Sequence, residues 1–75
     1  MSEDVRVVYQ DGAEIRRLRE RTGVNVPAFA ARVGITSQAL SNIELGTRSA
    51  SLRVLIRIAE ELGVRLDLIV RQDAA

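Results

Sequence analysis

Four of the five glycines in this 75-residue chain come directly after stretches whose apolar residues recur at helical spacing. Glycine readily adopts the left-handed backbone conformation that ends many helices, so each of the four predicts a helix end: Gly23, Gly34, Gly46 and Gly63. The chain is therefore expected to form four short helices, with a helical core over about residues 12–63. A chain of this length allows one small domain, residues 1–75, and no second core.

The segment 25–48 predicts two of these helices, joined by a tight turn at Gly34. Asn25 can cap the first helix and Thr36 can cap the second, because their side-chain oxygens accept hydrogen bonds from free N–H groups. The second helix places aliphatic residues on one side and polar residues on the other. The polar residues are Ser37, Gln38, Ser41 and Asn42.

Four segments between Ala13 and Leu68 follow one another at the spacing of a known protein family. They are IRRLRERTG (residues 15–23), FAARVGIT (29–36), QALSNIELG (38–46) and SLRVLIRIAEELGV (51–64). Together they resemble the lambda-repressor-like, Xre/Cro type of helix-turn-helix protein. The resemblance implies a mainly α, four-helix domain that binds double-stranded DNA as a transcriptional regulator, more commonly a repressor, with helix 3 in the major groove.

The same resemblance implies roles for individual residues. Side chains from the first two turns of helix 3 can meet base edges, and Gln38 is the first candidate because its amide both donates and accepts hydrogen bonds. The expected base contacts are Ser37, Gln38, Ala39, Ser41 and Asn42, with Ala39 facing outward. The expected phosphate contacts are Asn25, Thr36, Thr47, Arg48, Ser49 and Arg53. The chain departs from the family at Val26, where glutamine is common.

Helix 1 carries two further predictions. Asp11, followed three residues later by Glu14, resembles a capping box that opens the helix. In the resembled family an arginine at the position of Arg19 pairs with a glutamate at the position of Glu44. We therefore expect a structural ion pair that joins helix 1 to helix 3.

The net charge of +1 gives no indication of nucleic-acid binding, but the distribution of charge does. Residues 15–57 contain eight arginines and two glutamates, a local balance of +6, whereas residues 1–14 carry −3 and residues 58–75 carry −2. A basic centre of this kind suits a surface that meets phosphates. A solvated arginine-rich surface is the alternative interpretation.

The composition argues against several functions. The chain has no Cys and no His, so thiolate zinc sites and histidine-based acid–base catalysis lack their usual side chains. No enzyme activity, metal, cofactor or small-molecule ligand is expected. The apolar runs are only a few residues long, so we expect no membrane span or signal peptide and a cytoplasmic protein of bacterial or phage origin, associated with the nucleoid through DNA.

Both ends of the chain predict short strands. Residues 5–9 and residues 64–71 alternate in polarity, as strands do, although a fifth helix over 64–71 is the alternative. The C-terminal ending resembles that of HipB-type antitoxins, whose last strand pairs across a dimer. A homodimer is therefore expected, with a toxin protein as a possible partner in the alternative function. The expected dimerisation residues are Val64, Leu66, Leu68 and Val70.

Overall fold

The computed structural model describes residues 7–73, and the side chains of residues 9–71. Four helices and two short strands make up this part of the chain, which confirms the mainly α, four-helix prediction. The elements are β1 (Val7–Gln10), α1 (Gly12–Thr22), α2 (Val26–Val33), α3 (Ser37–Leu45), α4 (Leu52–Leu62), a 3₁₀ turn (Leu66–Leu68) and β2 (Val70–Asp73). Within residues 7–73, no helix has both the length and the apolar character needed to cross a bilayer.

Every α-helix begins at a side chain that caps its first turn and ends at one of the four glycines predicted to stop it. The caps are Asp11, Asn25, Thr36 and Ser51, each accepting a hydrogen bond from the backbone N–H three residues later. The four glycines have φ between 73° and 86°, the left-handed conformation. Local sequence signals therefore determine all eight helix ends.

The capping box predicted at α1 is only half formed. The Asp11 carboxylate accepts from the Glu14 N–H at 3.2 Å, but the Glu14 carboxylate binds Arg17 and leaves the Asp11 N–H to another acceptor. That acceptor is the carbonyl of Ile69, at 2.8 Å. The hydrogen bond to Arg17 lowers the pKa of Glu14 below its usual value. The start of α1 is thus tied to the segment that precedes β2.

One aliphatic core joins the four helices. Its fully buried side chains include Phe29 on α2, Leu40 on α3 and Leu55 on α4, each no more than 1% exposed. Ala30 is equally buried in α2, where its small side chain lets α3 approach across the Gly34 turn. The core contains one aromatic ring, so its packing depends on branched aliphatic residues in helical stripes.

The predicted C-terminal strand over residues 64–71 is wrong for most of its length, and so is the fifth α-helix. Strand β2 begins at Val70, after the single 3₁₀ turn. In a 3₁₀ turn, residues three apart lie on the same side, so Leu66 and Ile69 both point inward. Ile69 is fully buried, although alternation placed it on the polar side, and Leu68 is 53% exposed.

Strand β2 pairs with β1 of the same chain, in antiparallel register with Gln10 opposite Val70. The two terminal strands therefore share a small sheet, and nothing in it requires a second subunit. Three of the four residues predicted for dimerisation pack against the chain's own core: Val64, Leu66 and Val70. The N-terminal strand was predicted over residues 5–9. Residues 5 and 6 lie outside the described residues, and β1 extends one residue further, to Gln10.

Candidate nucleic-acid interface

Helix α3 is seated on the core by one side, which leaves its other side available. Its buried residues form a stripe across two turns: Ala39, Leu40, Ile43 and Glu44. The prediction that Ala39 faces outward is wrong, because only 7% of it is exposed. Ala39 lies one turn before Ile43 on the same side of α3, so the inward stripe is wider than two residues. Ala39 is therefore unavailable for a base contact.

The remaining predicted base-contact residues lie on the open side of α3. Ser37 and Gln38 are exposed in the first turn, and Ser41 and Asn42 are half-buried in the second. The Gln38 side-chain amide donates to the Asn42 side-chain oxygen at 3.2 Å. This contact aligns two amides along the helix, and each keeps donor and acceptor groups for another partner.

A buried ion pair fixes α3 against α1. The Arg19 guanidinium makes two hydrogen bonds to the Glu44 carboxylate, at 2.7 and 3.1 Å, and a third to the carbonyl of Val24 at 3.0 Å. The side chains of Arg19 and Glu44 are only 9% and 5% exposed. The contact agrees with the expectation of a structural ion pair. Hydrogen bonding to Glu44 raises the pKa of Arg19 above its usual value. Arg19 therefore stays positively charged in the folded protein.

The N-termini of α2 and α3 each begin at a capping side chain. The side chain of Asn25 accepts from the Ala28 N–H at 2.9 Å, and that of Thr36 accepts from the Ala39 N–H at 3.0 Å. Both cap residues are exposed. Other N–H groups of each first turn have no partner inside the helix, and the helix dipole favours an anion there. Both positions have the free N–H groups that a phosphate contact needs, and the contact itself stays a prediction.

The loop after α3 is anchored by the backbone of the same helix. The carbonyl oxygen of Asn42 accepts from the Thr47 N–H at 3.0 Å, the Arg48 N–H at 3.3 Å and the Thr47 hydroxyl at 3.3 Å. The side chains of Thr47, Arg48 and Ser49 are exposed, as is Arg53 in the first turn of α4. The loop thus holds polar and cationic groups directly beyond the end of α3.

The basic centre of the sequence is smaller in the structure than its charge suggested. Among the side chains of residues 9–71, four of its eight arginines pair with carboxylates, and two of those acids lie outside residues 15–57. The pairs are Arg16–Glu20, Arg17–Glu14, Arg19–Glu44 and Arg32–Glu61. Within the part of the chain whose side chains are described, neither Arg48 nor Arg53 lies within ion-pair distance of a carboxylate. The guanidinium groups of these two arginines therefore remain available for another anion.

Sequence reasoning missed Gln10, the last residue of β1. Its side-chain amide donates to the carbonyls of Arg48, at 2.5 Å, and Ile43, at 3.4 Å, and accepts from the Ala50 N–H at 3.4 Å. One side chain therefore joins the end of β1, helix α3 and the loop after it. No local signal distinguishes Gln10 from any other polar residue at a strand end.

Gly12, the first residue of α1, was also missed. A Cβ atom at this position would lie 2.4 Å from the carbonyl oxygen of Glu44 and 2.5 Å from that of Ile43. Only glycine allows α1 to begin this close to the end of α3. A signal was present in the sequence, because Gly12 is the one glycine that does not follow a helix.

Comparison with known proteins assigns the chain to a family. The Helix-turn-helix family model HTH_3 matches residues 15–69, which include all four α-helices except the first three residues of α1. The chain belongs to this family. Its helices form a helix-turn-helix domain of the Xre, lambda-repressor-like type, a family of DNA-binding regulators. The HipB-like ending predicted from the sequence is not confirmed.

A curated relative supports the assignment over a short region. The chain is 32% identical over 63 residues to the Propionyl-CoA carboxylase regulator of Cereibacter sphaeroides. The match includes 84% of this chain but only 14% of that protein. The likeness is therefore confined to one segment of a much longer regulator.

Three solved structures share the fold of this helix-turn-helix protein. The P22 c2 repressor, solved in complex with a synthetic operator, has a TM-score of 0.75 at 23% identity, over 80% of this chain and 92% of the repressor. The restriction-modification controller C.AhdI of Aeromonas hydrophila has a TM-score of 0.73 at 24% identity, over 76% and 83%. The clp gene regulator ClgR of Corynebacterium glutamicum has a TM-score of 0.70 at 28% identity, over 76% and 75%.

Proposed function

We propose that this protein is a sequence-specific repressor that binds a palindromic site in double-stranded DNA as a homodimer. Helix α3 enters the major groove and reads bases through Ser37, Gln38, Ser41 and Asn42. The observation that carries the proposal is the two-sided character of α3: one side is buried in the core, and the other presents aligned amides with unused donors and acceptors. Side-chain amides can form paired hydrogen bonds with adenine in the major groove.

The positions around α3 supply the backbone contacts that orient such a helix. In this proposal the N-termini of α2 and α3 bind phosphates at Asn25 and Thr36, and the loop and the start of α4 bind phosphates through Thr47, Arg48, Ser49 and Arg53. Phosphate contacts position a protein on the duplex but carry no sequence information. The P22 c2 repressor, which shares this fold, was solved with a synthetic operator.

A second subunit follows from the size of the domain. One module of this kind buries about 600–1,000 Å² of protein surface on DNA, which is a modest specific contact. Two copies whose α3 helices lie about 34 Å apart would read two half-sites one helical turn apart. Of the predicted dimerisation residues, Leu68 is the one that is largely exposed. Leu52 and Ile56 on α4 are also exposed and form a second candidate surface.

The proposal is tested by selecting binding sites from a pool of random-sequence duplexes with the purified protein. The expected result is enrichment of a two-fold symmetric sequence. Analytical ultracentrifugation of the protein with the selected duplex should give two subunits per duplex, and Leu68→Lys or Ile56→Lys should identify the surface that holds the subunits together. Enrichment of no sequence would refute specific recognition, and one subunit per selected duplex would refute the dimer.

The antitoxin alternative is not proposed. It was motivated by the HipB-like ending, which is not confirmed, and no contact within the described residues favours it.

A further inference from the structure

We infer that Gln10 is a positioning residue for DNA binding, which holds the loop after α3 so that Arg48 can reach a phosphate. The inference rests on the proposed function and deepens it. Gln10 lies 38 residues before Arg48 in the chain, at the end of β1, yet its amide donates to the Arg48 carbonyl at 2.5 Å. The residue itself belongs to the small sheet and not to the helix-turn-helix unit.

The contacts of Gln10 cover the loop from beginning to end. The Nε2 group donates to the carbonyls of Ile43 and Arg48, and Oε1 accepts from the N–H of Ala50. These three backbone groups lie before, within and after the turn that carries Thr47, Arg48 and Ser49. A single amide therefore fixes the distance between the end of α3 and the approach to α4, which a loop of this length would not hold by itself.

Helix α3 holds N–H groups of the loop, so the specific role of Gln10 is to hold the carbonyl of Arg48. The carbonyl of Asn42 binds the N–H groups of Thr47 and Arg48, so the N–H of Arg48 is held by α3 and its carbonyl by Gln10. Holding the peptide groups on both sides of the Arg48 Cα orients the exposed side chain. Without Gln10, the Arg48 peptide keeps only the helix contact, and the guanidinium samples more directions.

Gln10 is fixed in turn by the sheet and by the start of α1. Its backbone lies opposite Val70 in the sheet, and the next residue, Asp11, donates its N–H to the Ile69 carbonyl at 2.8 Å. Ile69 is fully buried. The terminal strands, which hold no residue of the proposed DNA-binding surface, thus support the loop through one amide.

A double-mutant cycle on DNA affinity tests the inference with the full chain and the selected duplex. Gln10→Leu removes the hydrogen bonds and keeps a side chain of similar size, and we expect it to weaken binding about three- to tenfold, the size of one hydrogen bond. Combined with Arg48→Ala, it should weaken binding no further than Arg48→Ala alone, within about twofold. Arg53 lies in α4 and is not among the hydrogen-bond partners of Gln10, so the effects of Gln10→Leu and Arg53→Ala should multiply.

A second readout separates positioning from a general loss of stability. The slope of log affinity against log salt should become shallower by about one phosphate contact in Gln10→Leu, and Arg48→Ala should show the same change. If Gln10→Leu multiplies with Arg48→Ala as it does with Arg53→Ala, or leaves the salt slope unchanged, the inference is overturned while the proposed function stands. If wild-type protein enriches no duplex and binds none, the proposed function fails and the inference fails with it.

Discussion

Replacing Gly12 by alanine tests how closely α1 and α3 approach each other. The added Cβ would lie 2.4 and 2.5 Å from two carbonyl oxygens and 2.8 Å from the carbonyl carbon of Glu44. Ordinary contacts of a Cβ atom are 3.4–4 Å, so the two helix ends must separate by about 1 Å. All three contacted atoms belong to the backbone, so no change of side-chain rotamer can relieve the overlap.

Two opposing effects determine the size of the change. Overpacking a closely packed site typically costs about 1–3 kcal/mol, and a contact with backbone alone belongs at the upper end of that range. Alanine is favoured over glycine within a helix by up to about 1 kcal/mol, and Gly12 needs no positive φ, so this gain offsets part of the loss. The expected net loss of unfolding free energy is about 2 kcal/mol.

The loss is large for a domain of this size. A 75-residue protein has an unfolding free energy of about 4–11 kcal/mol, and a loss of 2 kcal/mol lowers its Tm by about 8–16 °C. Urea unfolding followed by circular dichroism measures the change, with an unchanged m-value as the sign that only stability has altered. Ala13→Gly, at the exposed neighbouring position, is the matched control and should lose only about 0.5–1 kcal/mol. If Gly12→Ala is as stable as wild type or more stable, the close approach of the two helices is wrong.

Three further predictions concern charged residues. Arg19→Ala should lower the unfolding free energy by about 3–5 kcal/mol, because it leaves the Glu44 carboxylate buried without its partner. Replacing both residues with well-packed apolar side chains should lower it far less, as urea unfolding would show. Equal losses would contradict a buried pair. Arg48→Ala should weaken DNA binding and reduce the slope of log affinity against log salt by about one, measured between 50 and 200 mM salt. Arg65→Ala, beyond the C-terminal end of α4, is the control and should leave the slope unchanged. An unchanged slope in Arg48→Ala would exclude the phosphate contact. The pKa of Glu14 is lowered in the folded state, so the stability it contributes is present above its unfolded pKa and is lost as the pH falls through the folded pKa. Glu14→Gln should therefore lose less stability than wild type between about pH 6 and pH 3 in urea unfolding, and parallel losses would contradict the ion pair.

The helices of this protein could be predicted from its sequence because their ends are determined locally. A capping side chain and a left-handed glycine act within a few residues, so the sequence alone identifies Asp11 and Gly23 as the limits of α1. The Arg19–Glu44 ion pair could be predicted for another reason. The resemblance supplied the partner, and no local signal joins residues 25 positions apart.

The C-terminal ending and the wide inward side of α3 could not be predicted in the same way. An alternating pattern fits a strand, but the same residues also fit a 3₁₀ turn that places Leu66 and Ile69 on one side. The choice between them depends on the pairing of β2 with a strand more than sixty residues earlier. The burial of Ala39 could not be predicted, because the pattern of a small residue beside two large aliphatic ones is compatible with both an exposed and a buried position.

Gln10 and Gly12 depend entirely on tertiary placement. Each acts on the carbonyls at the end of α3, about 30 residues away in the chain, and neither contact has a sequence pattern of its own. Both show how the segment before the helix-turn-helix unit supports the helix proposed to read DNA. Contacts of this kind appear only when the helices are assembled.

The base preference of the Gln38→Ala variant on the selected duplex tests whether helix α3 reads bases. Fluorescence anisotropy would measure its affinity for that duplex and for duplexes changed at one base pair at a time. We expect Gln38→Ala to lose discrimination at one position, where wild type discriminates by about 1–3 kcal/mol, while its affinity for random DNA stays unchanged. Glu60→Ala, on the exposed part of α4, should keep the wild-type preference at every position. If Gln38→Ala also keeps that preference in full, α3 does not read bases through this residue.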